Sequence, residues 1–271
     1  MTAVSVRERS HAMASSLVGK FGIACLFLLA VFAIPLPSRL SGGFLWGEDT
    51  AIFMRAAYET GVNSLLAPYV DYLHTLPRLL DYALAHTTAI TSTPYTYVYA
   101  CLLLYAASAS YLYRVALRFF DGYRFAAAIA AAPFLVAQSG EVYLSVTNLQ
   151  WIAAVVLLAM VWDTFTPCTA RRAWSLRLAI LAVLIMTGPF AVFFSPVFVL
   201  ILWHNRRHLN NQQALSALAV CIVTGLIQLL TMVSSLTAAV PGHVVHGWAE
   251  FRFGYQFMHN FVFRFSLPGP C

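Results

Sequence analysis

The stretch WGEDTAIFMRAAYETGVNSLLAPYVDYLHTLPR, residues 46–78, gathers acids, arginines, tyrosines and a histidine in a chain that has few charges elsewhere. It holds four of the ten acidic residues, namely Glu48, Asp49, Glu59 and Asp71. Long apolar runs lie on both sides of it. We therefore expect a folded segment between membrane helices, which carries whatever chemistry the protein performs.

The composition around this stretch is typical of an integral membrane protein. Of the 271 residues, 61% are hydrophobic and only 10% are charged, and the mean hydropathy is +0.75. Soluble domains have about 25% charged residues. The net charge is +6, but the basic residues lie in short clusters between apolar runs. This pattern indicates membrane topology and excludes a nucleic-acid-binding face.

Helices that cross a bilayer core of about 30 Å need roughly 20 apolar residues. On that criterion we predict an all-α fold, a polytopic transmembrane helical bundle of about seven spans. The predicted spans are 18–36, 95–113, 123–138, 147–165, 176–188, 190–203 and 214–234. The first is interpreted as an uncleaved helix, because no small-residue cleavage site closes it.

The fifth and sixth spans form either one long tilted helix or a hairpin. Arginines stand before and after this pair, and both groups are cytoplasmic only if the chain turns back at Thr187, Gly188 and Pro189. With the hairpin, eleven of the 16 basic residues lie inside and seven of the ten acidic residues lie outside. The N-terminus is then cytoplasmic, which predicts a multi-pass protein of a bacterial inner membrane.

On this topology the segment 37–93 is an outer loop of the membrane module 1–238, and residues 239–271 form an outer tail. The loop is much longer than an ordinary connection. Its periodicity predicts two short amphipathic helices at the membrane surface, one over 50–60 and one from 76 or 77 to 86. In the first, Arg55 and Glu59 are an i,i+4 ion pair.

The adjacent acids Glu48 and Asp49 follow the first membrane helix. A carboxylate there can act as a general base that takes a proton from an acceptor hydroxyl. It can equally be an N-cap of the surface helix, because Asp caps helices well and negative charge is favoured at a helix N-terminus.

The remaining candidates are substrate-binding residues. Arg78 can bind a phosphate through its planar fork of donors, and His74 can do so when protonated. The alternative is an interfacial belt, with Tyr72 at headgroup level and Arg78 near lipid phosphate. Glu141 and Asn148 can orient a sugar hydroxyl or a lipid phosphate, or they can satisfy backbone groups at the mouths of two helices.

No motif predicts a cofactor. The chain has no Walker A, GxGxxG or GxSxG pattern and no zinc-type spacing among its five cysteines. His243, His246 and Glu250 lack the HExxH spacing of a helical metal site, so a divalent metal is possible but unsupported.

Taken together, these features resemble the GT-C superfamily of integral membrane glycosyltransferases. The resemblance is carried by the early acid pair in Gly47-Glu48-Asp49, the long outer loop with its surface helices, and the PYxxYLHxxPR stretch. GEVYLSVTNLQW (140–151) and TGPFAVFFSP (187–196) are similar to segments of uncharacterised bacterial members.

The resemblance implies inverting transfer of a sugar from a polyprenyl-phosphate donor to an envelope lipid or polysaccharide. Asp49 would be the base, with Glu48 as its substitute, and Arg78, His74 and Arg55 would contact phosphate. Such proteins usually continue into further helices or a soluble domain, whereas this chain ends soon after its seventh predicted helix. The alternative is a non-catalytic, transporter-like or accessory membrane protein that handles lipid-linked saccharide. The oligomeric state is not predicted.

Overall fold

The computed structural model describes residues 22, 24, 27, 28, 37–120, 122–135, 143–163, 171–205 and 211–237. These residues are helical apart from turns and two isolated β-bridges, so the all-α class is confirmed for them. A π-helical turn covers Asp49–Met54, and 3-10 turns cover Gly61–Leu66 and Ile90–Ser92. The α-helices are α1 (Pro37–Gly42), α2 (Arg55–Thr60), α3 (Thr75–Thr87), α4 (Thr93–Phe119), α5 (Tyr123–Leu135), α6 (Leu149–Asp163), α7 (Arg171–Ile185), α8 (Phe190–Asn205) and α9 (Asn211–Thr237).

Two helical stretches of the described residues are long and apolar enough to cross a membrane. They are Ile90–Phe119, which contains α4, and Gln212–Ser234 within α9. Helices α5 and α6 are apolar but have 13 and 15 residues, or about 20 and 22 Å at 1.5 Å per residue. Both are shorter than a hydrocarbon core of about 30 Å. The predicted count of seven spans is therefore not confirmed. Most of the first predicted span and the whole tail 239–271 lie outside the described residues.

The fifth and sixth predicted spans correspond to two separate helices, as the predicted hairpin requires. Helix α7 ends at Ile185 and α8 begins at Phe190. Gly188 between them has φ +83°, a left-handed conformation that glycine adopts without cost. Its N–H donates to Leu73 O at 2.9 Å, and its carbonyl accepts from Gln228 Nε2 at 2.9 Å. The turn is thus held both by the segment 37–93 and by α9.

The segment 37–93 lies against the helices. Helix α3 contacts α4, α6 and α7 as well as the turns of its own segment, and it buries Pro77, Arg78 and Asp81. The predicted helix over 50–60 is present as the π-helical turn followed by α2. The predicted ion pair of Arg55 with Glu59 forms at 2.7 Å on its exposed side. Because α3 is buried on one face, its polar side chains enter the protein interior.

The core is organised along one face of α4. Tyr97, Cys101 and Tyr105 recur every four residues and are completely buried, which places them on one side of the helix. Leu144, in the turn before α6, and Leu149, at its first residue, belong to the same cluster. The backbone N–H of Leu144 donates to the Tyr105 hydroxyl at 3.3 Å. This packing places residues 143–149 beside the π-helical turn.

Gly43 gives a test of how the segment 37–93 is seated. It has φ +72°, and a Cβ there would lie 2.7 Å from Pro94 Cβ and 2.9 Å from the Pro94 carbonyl carbon. Gly43→Ala should therefore lower the free energy of unfolding by about 2 kcal/mol or more, from backbone strain and overpacking. Thermal unfolding of the detergent-solubilised protein measures the change. Gly42→Ala is the control, because no atom lies within 4 Å of its Cβ position. Equal melting temperatures for the two variants would contradict the close approach at Pro94.

Candidate functional site

The Asp49 carboxylate joins two parts of the chain that are far apart in sequence. It is completely buried. Its Oδ1 accepts hydrogen bonds from Thr147 N at 2.8 Å and from the Thr147 hydroxyl at 2.5 Å. Its Oδ2 accepts from Trp46 N at 3.1 Å. Longer contacts of 3.4 Å come from Val146 N to Oδ2 and from the Ser145 hydroxyl to Oδ1. Five donors thus surround the carboxylate and fix the start of the π-helical turn to the chain that enters α6.

Glu48 differs from its neighbour in its surroundings. It occupies the N-cap position of the π-helical turn, but no side-chain capping hydrogen bond forms there. The bonds of Asp49 go to residue 46 and to residues 145–147, so neither acid acts as the N-cap that was one interpretation of the pair. Glu48 is half-buried, and its Oε2 is buried with no hydrogen-bond partner among the described residues. Of the two acids, it is therefore Glu48 that has a carboxylate oxygen without a hydrogen bond to the described residues.

The PYVDYLH stretch forms a tight turn with an unusual backbone. Tyr69 N donates to Tyr72 O at 2.9 Å, and Tyr72 N donates to Tyr69 O at 3.3 Å. Between them, Val70 and Asp71 have φ of 49° and 70°. Positive φ at both central residues is the geometry of a type I′ turn, and it is rare for a β-branched residue such as valine. Such strain persists only where surrounding contacts enforce it, and it is common at functional sites.

His74 follows this turn and is enclosed by aromatic rings. Its ring stacks on Tyr72 at 4.5 Å between centroids and meets Phe53 and Tyr69 edge-on at 5.5 and 5.4 Å. Burial, together with the smaller effect of the nearby Arg78 charge, lowers the pKa of His74 to about 3. The imidazole is therefore neutral at physiological pH. The expected role of His74 as a protonated phosphate donor does not fit this environment, because its ring is shielded from water.

Arg78 lies one turn further along α3. Its guanidinium is 4.8 Å from the centre of the Phe53 ring, within the range of a cation–π interaction. The side chain is only 3% exposed. Burial lowers the pKa of Arg78, and Asp81 partly opposes that effect. Its Nε and Nη1 have no hydrogen-bond partner among the described residues. Arg78 is thus a buried cation with free donors, which a phosphate group would satisfy.

Asp81 completes the group of buried polar residues. It is completely buried and accepts a short hydrogen bond from the Tyr97 hydroxyl on Oδ1. Its Oδ2 has no hydrogen-bond partner among the described residues. Burial raises the pKa of Asp81, and the charge of Asp49 raises it further. We refer to Asp49, His74, Arg78 and Asp81 as the buried polar cluster.

The other candidate residues lie at different places. Arg55 is exposed and paired with Glu59, away from the buried side of its helix. Asn148 is half-buried, and its Nδ2 is 3.4 Å from the Ser145 hydroxyl, so it belongs to the chain that surrounds Asp49. Tyr72 is buried against His74 and does not lie at an exposed interface. Glu141 lies outside the described residues.

Sequence reasoning did not single out Asp81 or its partner Tyr97. The available signal was the spacing of Arg78 and Asp81, which are three residues apart and therefore share one face of a helix. Tyr97 gave no signal, because it is one of several tyrosines at the start of an apolar run. Thr147 was not singled out either, although its amide and hydroxyl both bind Asp49.

No group of three or more histidine, cysteine or acidic side chains in the described residues is arranged to hold a metal ion. Within the buried polar cluster, Asp49 already uses both oxygens for protein donors. The geometry of the described residues therefore gives no support for a divalent cation.

Comparisons of this chain with protein-family models, curated proteins and solved structures found no match. The resemblance to the GT-C superfamily therefore stays an interpretation of sequence motifs.

Asp49 can be tested as an anchor. Asp49→Asn replaces an acceptor oxygen with an amide that faces protein donors, so we expect a loss of about 3 kcal/mol in the free energy of unfolding. Hydrogen exchange should also become faster at the amides of Val146 and Thr147. Glu48→Gln is the matched control, because it neutralises the adjacent acid without removing a hydrogen bond of this set. Unchanged exchange in Asp49→Asn would contradict the anchoring role.

The environment of His74 predicts how stability depends on pH. The unfolded chain binds a proton at His74 near pH 6.5, but the folded protein binds it only near pH 3. Between these values the unfolded chain holds more protons, so acidification destabilises the fold by at most about 1.4 kcal/mol per pH unit. Asp81 acts in the opposite direction, since its raised pKa favours the folded state as the pH falls.

His74→Phe keeps the aromatic packing and removes only the histidine contribution, while Asp81 is unchanged. We therefore expect the melting temperature of this variant to fall less between about pH 6.5 and pH 4 than that of the unmodified protein. His86→Gln, at an exposed position on α3, is the control and should keep the original slope. Identical slopes for all three proteins would show that His74 is not shielded as described.

Proposed function

We propose that the protein is a membrane glycosyltransferase that moves a sugar from a polyprenyl-phosphate donor to an envelope lipid or polysaccharide. The observation that carries the proposal is the buried polar cluster, in which Nε and Nη1 of Arg78 have no partner among the described residues. Glu48, which precedes Asp49 in the sequence, likewise has one buried oxygen without a partner among the described residues. Buried ionisable groups without partners are costly. Where they occur together with shifted pKa values, a functional site is favoured over a purely structural one.

A bilayer setting is supported by α9. Its span Gln212–Ser234 has 23 residues, and its most apolar 18-residue window has a mean hydropathy of 2.2 and is only 11% buried within the protein. A helix that is apolar on nearly all sides is stable when lipid surrounds it. We extend this to a multi-pass protein of a bacterial inner membrane with a cytoplasmic N-terminus and the segment 37–93 outside. The distribution of arginines in the sequence supports that orientation.

The geometry favours Glu48 as the general base, whereas Asp49 was expected from the sequence. Asp49 has both oxygens occupied and is enclosed, so it positions the π-helical turn. In Glu48 the buried Oε2 has no partner among the described residues and the side chain as a whole is only half-buried, so we assign the general base to Glu48. In the reaction Glu48 takes the proton of the acceptor hydroxyl, and the acceptor oxygen bonds to the anomeric carbon. The bond from that carbon to the phosphate oxygen breaks, and polyprenyl phosphate leaves with the electron pair.

Arg78 is assigned to the leaving phosphate. A guanidinium binds phosphate through paired, charge-assisted hydrogen bonds, and Nε and Nη1 of Arg78 are both available. Because Arg78 is enclosed, part of its cover has to move when the donor binds. The strained turn at Tyr69–Tyr72 packs on His74, one helical turn before Arg78, and release of its strain would favour such a movement.

The second candidate is a non-catalytic membrane protein that handles lipid-linked saccharide. It is favoured by the complete enclosure of Asp49, Asp81 and Arg78. On this proposal the buried polar cluster only seats the segment 37–93 on the helices. Replacing a buried, hydrogen-bonded group would then affect stability and would leave no reaction to measure.

Transfer activity separates the two candidates. Membranes containing the protein are supplied with polyprenyl-phosphate glucose or mannose bearing a radiolabelled sugar, and label in the glycolipid and polysaccharide fractions is counted. We expect Glu48→Gln to reduce transfer at least about 100-fold, since general bases contribute that much or more. Glu59→Gln is the control, because it neutralises an exposed acid on the same segment.

Transfer that survives in Glu48→Gln would remove Glu48 as the base. A protein that transfers neither sugar, although it is folded in the membrane, would favour the non-catalytic candidate. Equal loss in the two variants would point to an effect of charge on the whole segment.

A further inference from the structure

A partly open apolar cavity of about 230 Å³ lies between α7, α8 and α9. We call it the apolar groove. Small residues leave the space on both sides: Ala191 on α8, and Cys221 and Gly225 on α9. At Gly225 a Cβ would meet no atom within 4 Å. Because the groove is partly open, an apolar group from outside these three helices can enter it.

The lining of the groove restricts the chemistry of that occupant. Larger side chains such as Ile185, Phe198 and Leu229 form its walls, and every lining residue is apolar or a cysteine or glycine. A charged headgroup, a sugar or a polar peptide would find no hydrogen-bond partner there. An apolar cavity of about 150 Å³ stays dry and accepts benzene. The groove is larger, so it has room for several methylene groups of a hydrocarbon chain.

The surroundings of the groove identify the source of such a chain. Ile222 and Leu226 line the groove and are each about half exposed, so it opens onto the uncovered face of α9. That face includes further exposed apolar side chains at Val223, Ile227 and Leu230. A helix of this length and hydropathy has lipid as its natural neighbour. From these observations we infer that the apolar groove binds one acyl chain of a bilayer phospholipid.

The position of the groove links this lipid to the segment 37–93. Leu229, in its lining, is adjacent to Gln228, whose amide binds the backbone of Leu73 and Gly188. An acyl chain in the groove supports the part of α9 that carries this contact. Occupancy is independent of the transferase reaction, because no residue of the acid pair or of the buried polar cluster lines the groove.

The test uses a phospholipid that carries a photoreactive group within its acyl chain. The full-length protein is reconstituted with this lipid, irradiated and digested, and mass spectrometry locates the attached lipid. We expect label on α8 and α9 to concentrate at groove positions such as Ala191, Cys221 and Gly225. Gly225→Phe should reduce that label several-fold by filling the space. Gly225→Leu is a smaller filler, for use if the phenylalanine variant does not fold.

Two controls match the filling variants. Gly225→Ala improves helix propensity at the same position while adding little volume, so it should keep the label. Ala219→Phe adds the same bulk at an exposed position of α9 outside the groove lining, so it should also keep the label. Circular dichroism checks that each variant is folded.

Three results would overturn the inference. Label spread evenly over the exposed face of α9, unchanged in Gly225→Phe, would show that the groove is not a site. Displacement of the groove label by polyprenyl phosphate, but not by an equal amount of phospholipid, would assign the groove to an isoprenoid chain. Cross-links from Cys221 to a second copy or to residues 238–271 would assign it to protein.

Discussion

The arrangement of the segment 37–93 depends on the hydrogen bonds that the buried Asp49 carboxylate accepts. A buried carboxylate is stable only when donors compensate for the water it has lost. Its shortest donors come from Thr147, 98 residues further along the chain. The π-helical turn and the entry to α6 therefore cannot separate without leaving a bare charge. Phe53, one turn after Asp49, contacts both His74 and Arg78, so the anchor also fixes the ring on which the site is built.

A second attachment holds the other side of the segment. The Thr75 hydroxyl donates to Met186 O at 2.9 Å, and Leu76 N donates to the Thr187 hydroxyl at 3.0 Å. Gln228 on α9 adds a third hydrogen bond, because Leu73 N donates to its Oε1 at 3.2 Å. Helix α3 is thus fixed at its N-terminus by the turn between α7 and α8, while Asp49 fixes the preceding π-helical turn. The two attachments together keep Arg78 and Asp81 inside the protein despite the cost of burying them.

The helices and the break at Gly188 were predictable, because they depend on local features of the sequence. These features are the lengths of the apolar runs, the glycine–proline pair, and the arginine clusters before and after it. The ion pair of Arg55 and Glu59 is equally local. The partners of Asp49 were not predictable, since they depend on how two distant stretches meet. The sequence could not distinguish a carboxylate open to substrate from one surrounded by donors. The count of seven spans is not confirmed for a different reason: over the described residues α5 and α6 have 13 and 15 residues, and hydropathy does not give a helix length.

The charges of the buried polar cluster are the reason we propose an anion as its ligand. His74 is neutral, because burial lowers its pKa to about 3. Asp81 has a raised pKa and no ion pair within reach in the described residues, so it compensates Arg78 poorly. Arg78 remains a cation, since guanidinium groups are not deprotonated in proteins. The negative charge of Asp49 is already satisfied by five protein donors. What is left is a positive group that faces an aromatic ring and has two donors without a partner among the described residues. A phosphate would satisfy these donors better than a neutral ligand would.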